Sequence, residues 1–376
     1  MSEPVEARRT SWRAVARAAA AVAIVISGYA LAGGEAKPPP AQAAVRAKGP
    51  VTIQWVGDTV LASAYGTPPN GGRDSLKAMT PSLHKADLSW GNLEETLSRG
   101  GTSKCGAAAS DNCFAFQAPP SYARNLKRAG FAIMNLANNH AYDFGAAGVR
   151  QTHHALGRAH IAWDGSPGKI RMLTRKGVRV ALLGFAPYPW SARLDDIPAA
   201  VRLVRSAARR ADLVVVAIHA GAEGADRTHV PRGTEYYLGE NRGNSRAFAH
   251  AVVDAGADLV VGSGPHVIRG IQWYHRRLIA YSTGNFAGYD NFGLGGVLGL
   301  SGMVRVTLDP DGSFVKGRWI SLRLEGPGLP VLDSSKQSLR LVGRLSREDF
   351  GRTAARFDSS GWIKPHRGQT RGRSRH

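Results

Sequence analysis

The chain has 376 residues, of which 43% are hydrophobic, so it is long enough to bury a substantial core. Its formal net charge of +21 indicates either an acidic partner, such as an anionic polymer or phospholipid headgroups, or an arginine-rich solvated surface. No recognised nucleic-acid-binding module stands out, and we therefore expect no nucleic-acid partner.

The first 32 residues are typical of an export signal. Arginines at positions 8, 9, 13 and 17 precede an apolar stretch from Ala18 to Ala32. A basic head, a short apolar core and the Ala-x-Ala end predict a secretory signal with cleavage near Gly33, and an uncleaved anchor is the alternative. We therefore expect an exported protein, either secreted or anchored at the outer face of the cytoplasmic membrane. Residues 33–49, rich in proline and alanine, are predicted to be a linker.

From Val51 onward, short apolar runs alternate with helix-length amphipathic segments, which is the pattern of an α/β domain. The predicted strands are Val51–Val56, Gly130–Leu136, Val178–Phe185, Leu213–Ile218, Asp258–Val261 and Leu278–Tyr281. The predicted helices are Pro120–Ala129, Ala146–Ala159, Pro198–Arg210 and Ser245–Ala255. Met303–Leu308 and Phe314–Leu324 are predicted to close the fold as an antiparallel pair. We predict one domain over residues 50–345 and a disordered basic tail over residues 346–376, which would suit contact with an anionic membrane surface.

The two cysteines, Cys105 and Cys113, lie in a glycine-rich polar insertion. Outside the reducing cytosol, two nearby cysteines in such a loop are expected to form a disulfide. A metal site would need more ligands than this loop offers. Because the loop is an insertion, we expect the core to survive its opening.

Polar side chains that bind metals recur where the apolar runs end. These segments are Gly57-Asp58, Asn92-Leu93-Glu94, Asn138-Asn139-His140, His219 with Gly221 and Glu223, Gly264-Pro265-His266, and Gly284-Asn285-Phe286. Ligand sites in open α/β sheets lie beyond the carboxyl ends of the strands, so segments far apart in sequence are predicted to converge there. Each segment alone is more often a turn, a solvated acid or a buried histidine. Their recurrence at six strand ends favours a shared site.

In this order, the six segments resemble the successive motifs of the CapA family of bacterial capsule and poly-γ-glutamate synthesis proteins. The resemblance covers residues 51–290, and its most specific parts are Asn138-Asn139-His140 and the run from Tyr281 to Phe286. It implies a four-layer α/β/β/α metallophosphatase-like sandwich in a single domain. It also implies an anionic cell-surface polymer, poly-γ-glutamate or similar, as the partner.

The resemblance further implies a centre of one or two divalent metal ions, Mn, Zn or Fe. Asp58 and His266 would serve one metal position, and Asn139 and His219 the second, with Glu94 between them. Carboxylates, amide oxygens and imidazoles suit these metals. Ions of this kind orient a phosphate or carbonyl group and activate water.

Four other residues receive roles from the same resemblance. His140 would be the catalytic group that gives a proton to the leaving group or stabilises the transition state, as suits a side chain with a pKa near neutrality. Asn92, Glu223 and Asn285 would contact the substrate or support the metal ligands.

One departure from the family pattern bears on metal binding. The family run usually reads His-Pro-His, whereas this chain has Gly264-Pro265-His266 and lacks one imidazole. If the missing histidine is a ligand, the substitution Gly264→His is expected to raise metal affinity, provided that the backbone tolerates a side chain there.

Three functions are compatible with these features. The first is an extracytoplasmic CapA-like protein with a metal-dependent hydrolase or transferase activity on an amide or phosphoester. The second is a non-catalytic polymer-binding or envelope-assembly component with a degraded metal site, which the missing histidine and the positive charge favour. The third is a secreted metal-dependent phosphoesterase. Metal content separates enzyme from binder, and a substrate screen separates the two enzymes.

Overall fold

The computed structural model describes residues 48–62, 66–106 and 113–366. The predicted signal, residues 33–47 of the predicted linker and the last ten residues of the predicted tail lie outside these ranges. Within them, no helix is long and apolar enough to cross a membrane.

The strands and helices follow the alternating pattern of the sequence. The strands are β1 (Val51–Val60), β2 (Leu88–Leu93), β3 (Thr96–Leu97), β4 (Gln117–Ala118), β5 (Ile133–Asn135), β6 (Ala162–Asp164), β7 (Arg171–Arg175), β8 (Val178–Ala186), β9 (Ala192–Arg193), β10 (Leu213–His219), β11 (Glu235–Tyr237), β12 (Glu240–Gly243), β13 (Leu259–Ser263), β14 (Ile271–Tyr274), β15 (Arg277–Ala280), β16 (Asn285–Gly288), β17 (Leu300–Leu308), β18 (Phe314–Glu325), β19 (Leu329–Leu332) and β20 (Trp362–Ile363). The helices are α1 (Thr80–Leu83), α2 (Ala123–Ala129), α3 (Gly145–Arg158), α4 (Ile197–Ala208), α5 (Ser245–Asp254) and α6 (Gln337–Phe350).

Two large sheets form the middle of the domain. The first has the strand order β19-β18-β17-β1-β2-β5-β6, with β16 also paired to β1 and β20 to β18. The second has the order β14-β15-β13-β10-β8-β7, with β9 paired to β8. In each sheet the central strands are parallel, namely β1, β2, β5 and β6 in the first and β8, β10, β13 and β15 in the second. Their carboxyl ends therefore lie on one edge of each sheet.

The sheets pack face to face because successive side chains of a strand point to opposite faces. In β10, Val215 faces the first sheet and packs in the same core as Trp55 of β1, whereas Val216 faces outward toward α4 and α5. On the outer face of the first sheet, α2 and α3 bury Leu126 and Leu156. Burying one such side chain contributes about 1.5–3 kcal/mol. The order of layers is α/β/β/α, as predicted.

Several boundaries differ from the sequence prediction; β1, for example, continues past Val56 to Val60. The strand predicted from Gly130 begins only at Ile133, because Gly130 has a φ of 113° and ends α2 in the left-handed conformation. The fold also extends past the end predicted at residue 345. Helix α6 continues to Phe350, which it buries, and β20 adds to the first sheet through pairing of Ile363 with Gly317 of β18. An amphipathic helix that covers a sheet stays ordered by that packing, which outweighs the basic composition of residues 346–366.

Candidate metal centre

Three fully buried side chains meet at the carboxyl ends of the parallel strands. Asp58 of β1, Glu94 just after β2 and His219 at the end of β10 each offer one donor atom, and these atoms lie within 4.8 Å of one another. Both sheets therefore contribute to one cluster of two carboxylates and an imidazole.

Asp58 lies in β1 at the point where the strand changes partner. Residues up to Val56 pair with antiparallel β17, whereas Asp58 pairs in parallel with Asn285 of β16. This close approach needs Gly57, because a Cβ at that position would lie 1.8 Å from the carbonyl oxygen of Gly284. The change of pairing thus occurs at the residue whose fully buried carboxylate is a candidate ligand.

His266 adds a second imidazole to the cluster. Its Nδ1 lies 3.4 Å from Asp58 Oδ2, and its Nε2 lies 3.8 Å from Glu94 Oε1. The Asn285 side-chain oxygen lies 2.7 Å from His266 Nδ1 and orients the ring. Asn285 thus supports a candidate ligand, while His266 completes a set of four side chains that we call the metal pocket: Asp58, Glu94, His219 and His266.

Asn92 holds the metal pocket from the side of β2. Its amide nitrogen lies 2.8 Å from Asp58 Oδ1 and 3.2 Å from His219 Nδ1. The Asn92 side-chain oxygen in turn accepts hydrogen bonds from Asn135 at 2.7 Å and from Asn138 at 3.1 Å. These amides fix the orientation of Asn92 and, through it, the orientation of Asp58 and His219.

Several buried polar atoms around the metal pocket have no hydrogen-bond partner among the described residues. They are Glu94 Oε1 and Oε2, His219 Nε2 and the side-chain oxygen of Asn139. A buried carboxylate or imidazole without a partner costs free energy, so native proteins seldom keep several together. All four atoms are oxygen or nitrogen donors of the kinds that Mn²⁺, Zn²⁺ and Fe bind. The residues present therefore fit a divalent cation.

The charges in the metal pocket shift each other's pKa values. Burial raises the pKa of Glu94 well above its usual range, and the Asp58 charge adds to this. Burial would also raise the pKa of Asp58, but contacts with His219 and His266 outweigh it and hold that pKa below its usual value. Burial would lower the pKa of His266, yet Glu94, Glu223 and Asp58 raise it to about 10. Without a cation, His266 therefore retains its proton at neutral pH.

Glu223 closes the outer side of the metal pocket and is held by an arginine. Its Oε2 lies 3.5 Å from His266 Nε2, and its Oε1 forms an ion pair with Arg242 at 2.7 Å. Burial would raise the pKa of Glu223, but His266 and Arg242 lower it, so this carboxyl group is ionised. Arg242 itself is 1% exposed, and its position is fixed.

His140 lies on the turn after β5 and is held from two sides. Its Nδ1 donates to Asp143 Oδ2 at 2.8 Å, and the Phe116 ring packs on the imidazole with centroids 4.3 Å apart. The Asp143 carboxylate also accepts from the Phe116 N–H at 2.7 Å and pairs with Lys104 at 2.7 Å. Burial lowers the pKa of His140, and Asp143 opposes this effect. The ring nitrogen left for a ligand is Nε2.

The predicted disulfide between Cys105 and Cys113 is confirmed, with Cα atoms 5.7 Å apart. Lys104 directly precedes the first cysteine, and Phe116 follows the second by three residues. The disulfide therefore joins the two segments that hold Asp143 and His140. The insertion that contains both cysteines therefore lies at the candidate site, although the sequence suggested that it is separate from the core.

A cleft of about 690 Å³ opens beside the metal pocket. Residues that line it include Asn139, His140, Tyr188, Trp190, Glu223 and Arg242. Trp190 forms one wall, because its indole N–H donates to the Asn138 carbonyl at 2.8 Å and its ring stacks on Tyr188 with centroids 5.2 Å apart. The cleft gives a ligand access to His140 and to the outer side of the pocket.

The backbone at Gly264 does not tolerate a side chain, which the Gly264→His test requires. Gly264 has a φ of 114°, and a Cβ there would lie 2.9 Å from the Ala220 backbone nitrogen. Its own N–H donates to Asp58 Oδ2 at 3.1 Å. A histidine at this position is therefore strained, and the Gly264→His variant cannot test the ligand assignment.

The structure thus brings Asp58, Glu94, His219 and His266 together, with Asn92, Glu223 and Asn285 in contact with them. Asn139 and His140 line the adjoining cleft. Sequence reasoning assigned no role to Asp143, Lys104 or Arg242. The spacing of His140 and Asp143 by three residues was an available signal for the first. Nothing in the sequence distinguishes Arg242 from the rest of the 49 lysines and arginines.

Fold and site together define a four-layer α/β/β/α protein with a buried carboxylate–imidazole cluster at the strand ends. The sequence model of the family described as "Bacterial capsule synthesis protein PGA_cap" matches residues 52–290, well over half of the chain. The protein belongs to this family.

Two curated relatives are similar over the same region. The "Capsule biosynthesis protein CapA" of Bacillus anthracis is 30% identical over 263 residues, which cover 63% of this chain and 59% of that protein. The "PGA biosynthesis protein CapA" of Bacillus subtilis (strain 168) is 28% identical over 255 residues, or 63% of each chain. The matched region thus spans less than two thirds of these relatives' own length.

Among solved structures, a putative 5′-nucleotidase from Staphylococcus aureus is similar at a TM-score of 0.42 and 13% identity. The superposition covers 79% of this chain and 58% of that chain. Values this low support no conclusion about the activity of this protein.

Proposed function

We propose that this protein is an extracytoplasmic metal-dependent hydrolase or transferase that acts on an anionic cell-surface polymer, poly-γ-glutamate or a similar polycarboxylate. The observation that carries the proposal is the metal pocket, in which buried donor atoms of Glu94 and His219 lack hydrogen-bond partners among the described residues. Membership of a capsule synthesis family and similarity to two proteins of capsule or PGA biosynthesis support the polymer class.

Different residues of the chain would have different roles in such a reaction. A divalent ion in the pocket would polarise a scissile carbonyl or phosphoryl group and make water a better nucleophile. His140 is oriented by Asp143 through Nδ1, so a proton is taken up or released at Nε2, next to the cleft. Arg242 holds Glu223 at the outer side of the pocket. The wall formed by Trp190 and Tyr188 shields one side of the reacting group from water.

The cleft adds no free cation to the charge of a metal in the pocket. Three cationic side chains line the cleft, and each is paired with an acid: Lys104 with Asp143, Arg193 with Asp195, and Arg242 with Glu223. No cation of the cleft is thus left over to neutralise a dianionic phosphate, as far as the described residues extend. The charge of a phosphate, like that of a polymer carboxylate, would therefore be met by the metal in the pocket.

Export is part of the proposal. The basic head and apolar core of residues 1–32 are typical of a secretory signal, and a disulfide in a surface loop persists in an oxidising compartment. N-terminal sequencing of the protein recovered outside the cytoplasm tests this point. A chain that begins near Gly33 is expected, and retention of the protein in the cytoplasm would contradict the proposal.

The activity is tested with the purified full chain. Metal content is measured after chelator treatment and reloading with Mn²⁺, Zn²⁺ or Fe²⁺, and cleavage is followed by the chain length of poly-γ-glutamate and by the release of free amines. Phosphomonoesters and phosphodiesters serve as comparison substrates. We expect chelator-sensitive cleavage of the polymer that the Glu94→Gln variant lacks.

A non-catalytic polymer-binding component is the second candidate, because the chain lacks the imidazole that the family pattern has at Gly264. A protein that binds metal stoichiometrically yet cleaves none of the three substrate classes would favour this candidate. Preferential cleavage of phosphoesters would instead favour a secreted phosphoesterase.

A further inference from the structure

A groove of about 800 Å³ runs along α6, on a part of the surface that plays no role in the proposed reaction. We call it the α6 groove and define it by three exposed arginines of the helix and three half-buried apolar side chains that it includes: Arg340, Arg344, Arg347, Val297, Leu300 and Phe357.

The arginines form a row because of their spacing. Positions 340, 344 and 347 lie on one face of an α-helix, and they span about 10 Å along its axis. The opposite face of α6 buries Leu341, Leu345 and Phe350 against the sheets, so the row is held on a fixed support.

Most of this positive charge is available to a ligand. Arg340 and Arg347 form no ion pair with any acid of the described residues, and Arg344 has only an exposed contact of 3.5 Å with Glu348. An exposed pair of this kind contributes little and exchanges readily with another anion. The one acid that lines the groove, Asp358, accepts hydrogen bonds from the backbone N–H groups of Ser360 and Trp362.

The other lining residues indicate what kind of anion fits. Val297, Leu300 and Phe357 make the floor apolar, while the arginines make one edge basic. A polymer with methylene groups in its backbone and a carboxylate on each unit matches both features, because its methylene groups pack on the floor and its carboxylates pair with guanidinium groups. A single strand of nucleic acid is a poorer match, since such strands stack their bases on exposed aromatic rings and Phe357 is half-buried.

One segment of chain contacts both the α6 groove and the metal pocket. Val297 and Leu300 line the groove and belong to the stretch that follows Phe292, and the Phe292 ring lies 5.0 Å from the His266 ring, centroid to centroid. Leu300 also begins β17, which pairs with β1, the strand that carries Asp58. The groove and the pocket therefore share structural elements.

We propose that the α6 groove is a binding site for an extended polycarboxylate such as poly-γ-glutamate, which it holds outside the metal pocket. The proposal takes its ligand class from the proposed function, but it requires no catalysis. The site would raise the local concentration of polymer at the protein surface.

The test is a titration of fluorescently labelled poly-γ-glutamate with the full chain, followed by fluorescence anisotropy. A chelator is present, so binding is measured without turnover, and a failure of the metal site leaves the measurement intact. The variant Arg340→Gln/Arg344→Gln/Arg347→Gln keeps helix-forming residues at all three positions. We expect it to bind at least tenfold more weakly than the unaltered protein, with a shallower dependence on salt.

A matched control variant distinguishes binding in the α6 groove from attraction by net charge. Arg202→Gln/Arg205→Gln/Arg210→Gln removes the same three charges from exposed positions on α4 and just beyond it. We expect less than a threefold change in affinity. Equal weakening in both triple variants would overturn the proposal, because it would show attraction by overall charge alone.

Two further probes decide the ligand class. Vesicles of phosphatidylglycerol and a single-stranded DNA of similar charge are titrated in the same way. Binding of vesicles or DNA that matches or exceeds that of poly-γ-glutamate, and that the α6 variant loses, would overturn the assignment to a polycarboxylate. Thermal unfolding by circular dichroism confirms that both triple variants are folded.

Discussion

The metal pocket lies beside the turn that carries His140, which we call the His140 turn, at the same edge of the sheets. The two regions differ in the hydrogen bonding of their buried carboxylates. In the metal pocket, Glu94 is fully buried and neither of its carboxylate oxygens has a hydrogen-bond partner among the described residues. At the His140 turn, Asp143 is equally buried but is met by His140, the Phe116 N–H and Lys104.

The difference separates a site that needs a ligand from one that is complete without it. A buried carboxylate with no partner is stabilised when a cation arrives, whereas a carboxylate that already has three partners gains nothing from one. The protein thus keeps one part of its candidate site open for a metal and holds the adjoining acid–base group in a fixed orientation.

The variant Glu94→Gln is expected to give the largest effect, which is a loss of metal affinity. The change removes a carboxylate donor, so metal affinity should fall more than about 100-fold. The stability of the metal-free protein should not fall, because the lost oxygen leaves no hydrogen-bond partner behind. Isothermal titration calorimetry with Mn²⁺ or Zn²⁺ and urea unfolding measure the two quantities.

Glu95 provides the matched control for this variant. It is the next residue and is also fully buried, but its two oxygens accept from the backbone N–H groups of Leu61 and Ala62 at 3.0 and 3.2 Å. Glu95→Gln should therefore leave metal affinity unchanged and lower the free energy of unfolding by about 1–3 kcal/mol. Loss of metal binding in the Glu95 variant but not in the Glu94 variant would refute the ligand assignment.

A smaller effect is expected at the other region from Asp143→Asn. The His140 Nδ1–H and the Phe116 N–H both donate to Oδ2, whereas Lys104 pairs with Oδ1. An amide that keeps its oxygen toward the two N–H groups turns its NH₂ group toward the Lys104 ammonium, and an amide turned the other way meets two donors, so in either case the imidazole is held less firmly. Polymer cleavage should slow by about 10- to 100-fold, while metal affinity stays within about twofold. The ¹⁵N resonances of His140 should change from one tautomer to a mixture. An unchanged His140 spectrum would rule out this positioning role.

The two regions should also differ in their exchange of protons. The pKa of His266 is raised to about 10 by the neighbouring acids, so this imidazole holds a proton in the metal-free protein at neutral pH, and burial raises the pKa of Glu94. A cation binds the deprotonated forms. Metal affinity should therefore rise with pH between 6 and 8, by about tenfold per pH unit for each proton released.

Calorimetry in buffers of different ionisation enthalpy counts the protons released on metal binding. Asp143→Asn should leave this count unchanged, because its carboxylate lies at the His140 turn and not in the metal pocket. A binding enthalpy that is the same in every buffer would contradict the predicted charge states.

The smallest effect is expected from opening the disulfide with Cys105→Ser/Cys113→Ser. Closing a loop of this length contributes about 2–3 kcal/mol at most, and the core should survive without it. Metal affinity should be unchanged, while cleavage falls a few-fold because the segments that carry Lys104 and Phe116 are no longer joined. Intact mass after alkylation, with and without reductant, verifies the bond in the unaltered protein.

The layer order followed from the family resemblance, whereas the convergence of Asp58, Glu94, His219 and His266 was predicted from their positions where apolar runs end. Parallel strands leave a clear mark, because an apolar run that stops at a polar residue identifies both the strand and its carboxyl end. The sequence was not sufficient to predict the partners of these residues. Arg242 lies on the short strand β12 and Lys104 in an insertion, and neither position follows from a periodic pattern.

The backbone conformation of single residues could not be predicted from the sequence either. The glycine at 264 reads as a lost ligand, but the structure shows a backbone N–H bonded to Asp58 and a φ that disfavours any side chain. Likewise, the basic residues after 345 suggest disorder. What decides the outcome there is the apolar stripe of α6, whose packing against the sheets is a tertiary effect.

The origin of the four pocket residues has a mechanical consequence. Asp58 and Glu94 belong to the first sheet, whereas His219 and His266 follow strands of the second, so a cation between them would clamp one layer to the other. Binding and layer docking are then thermodynamically linked, and the resistance of the domain to melting should grow with the logarithm of the free metal concentration. A metal ion that takes part in the reaction would thus also stabilise the packing of the two sheets.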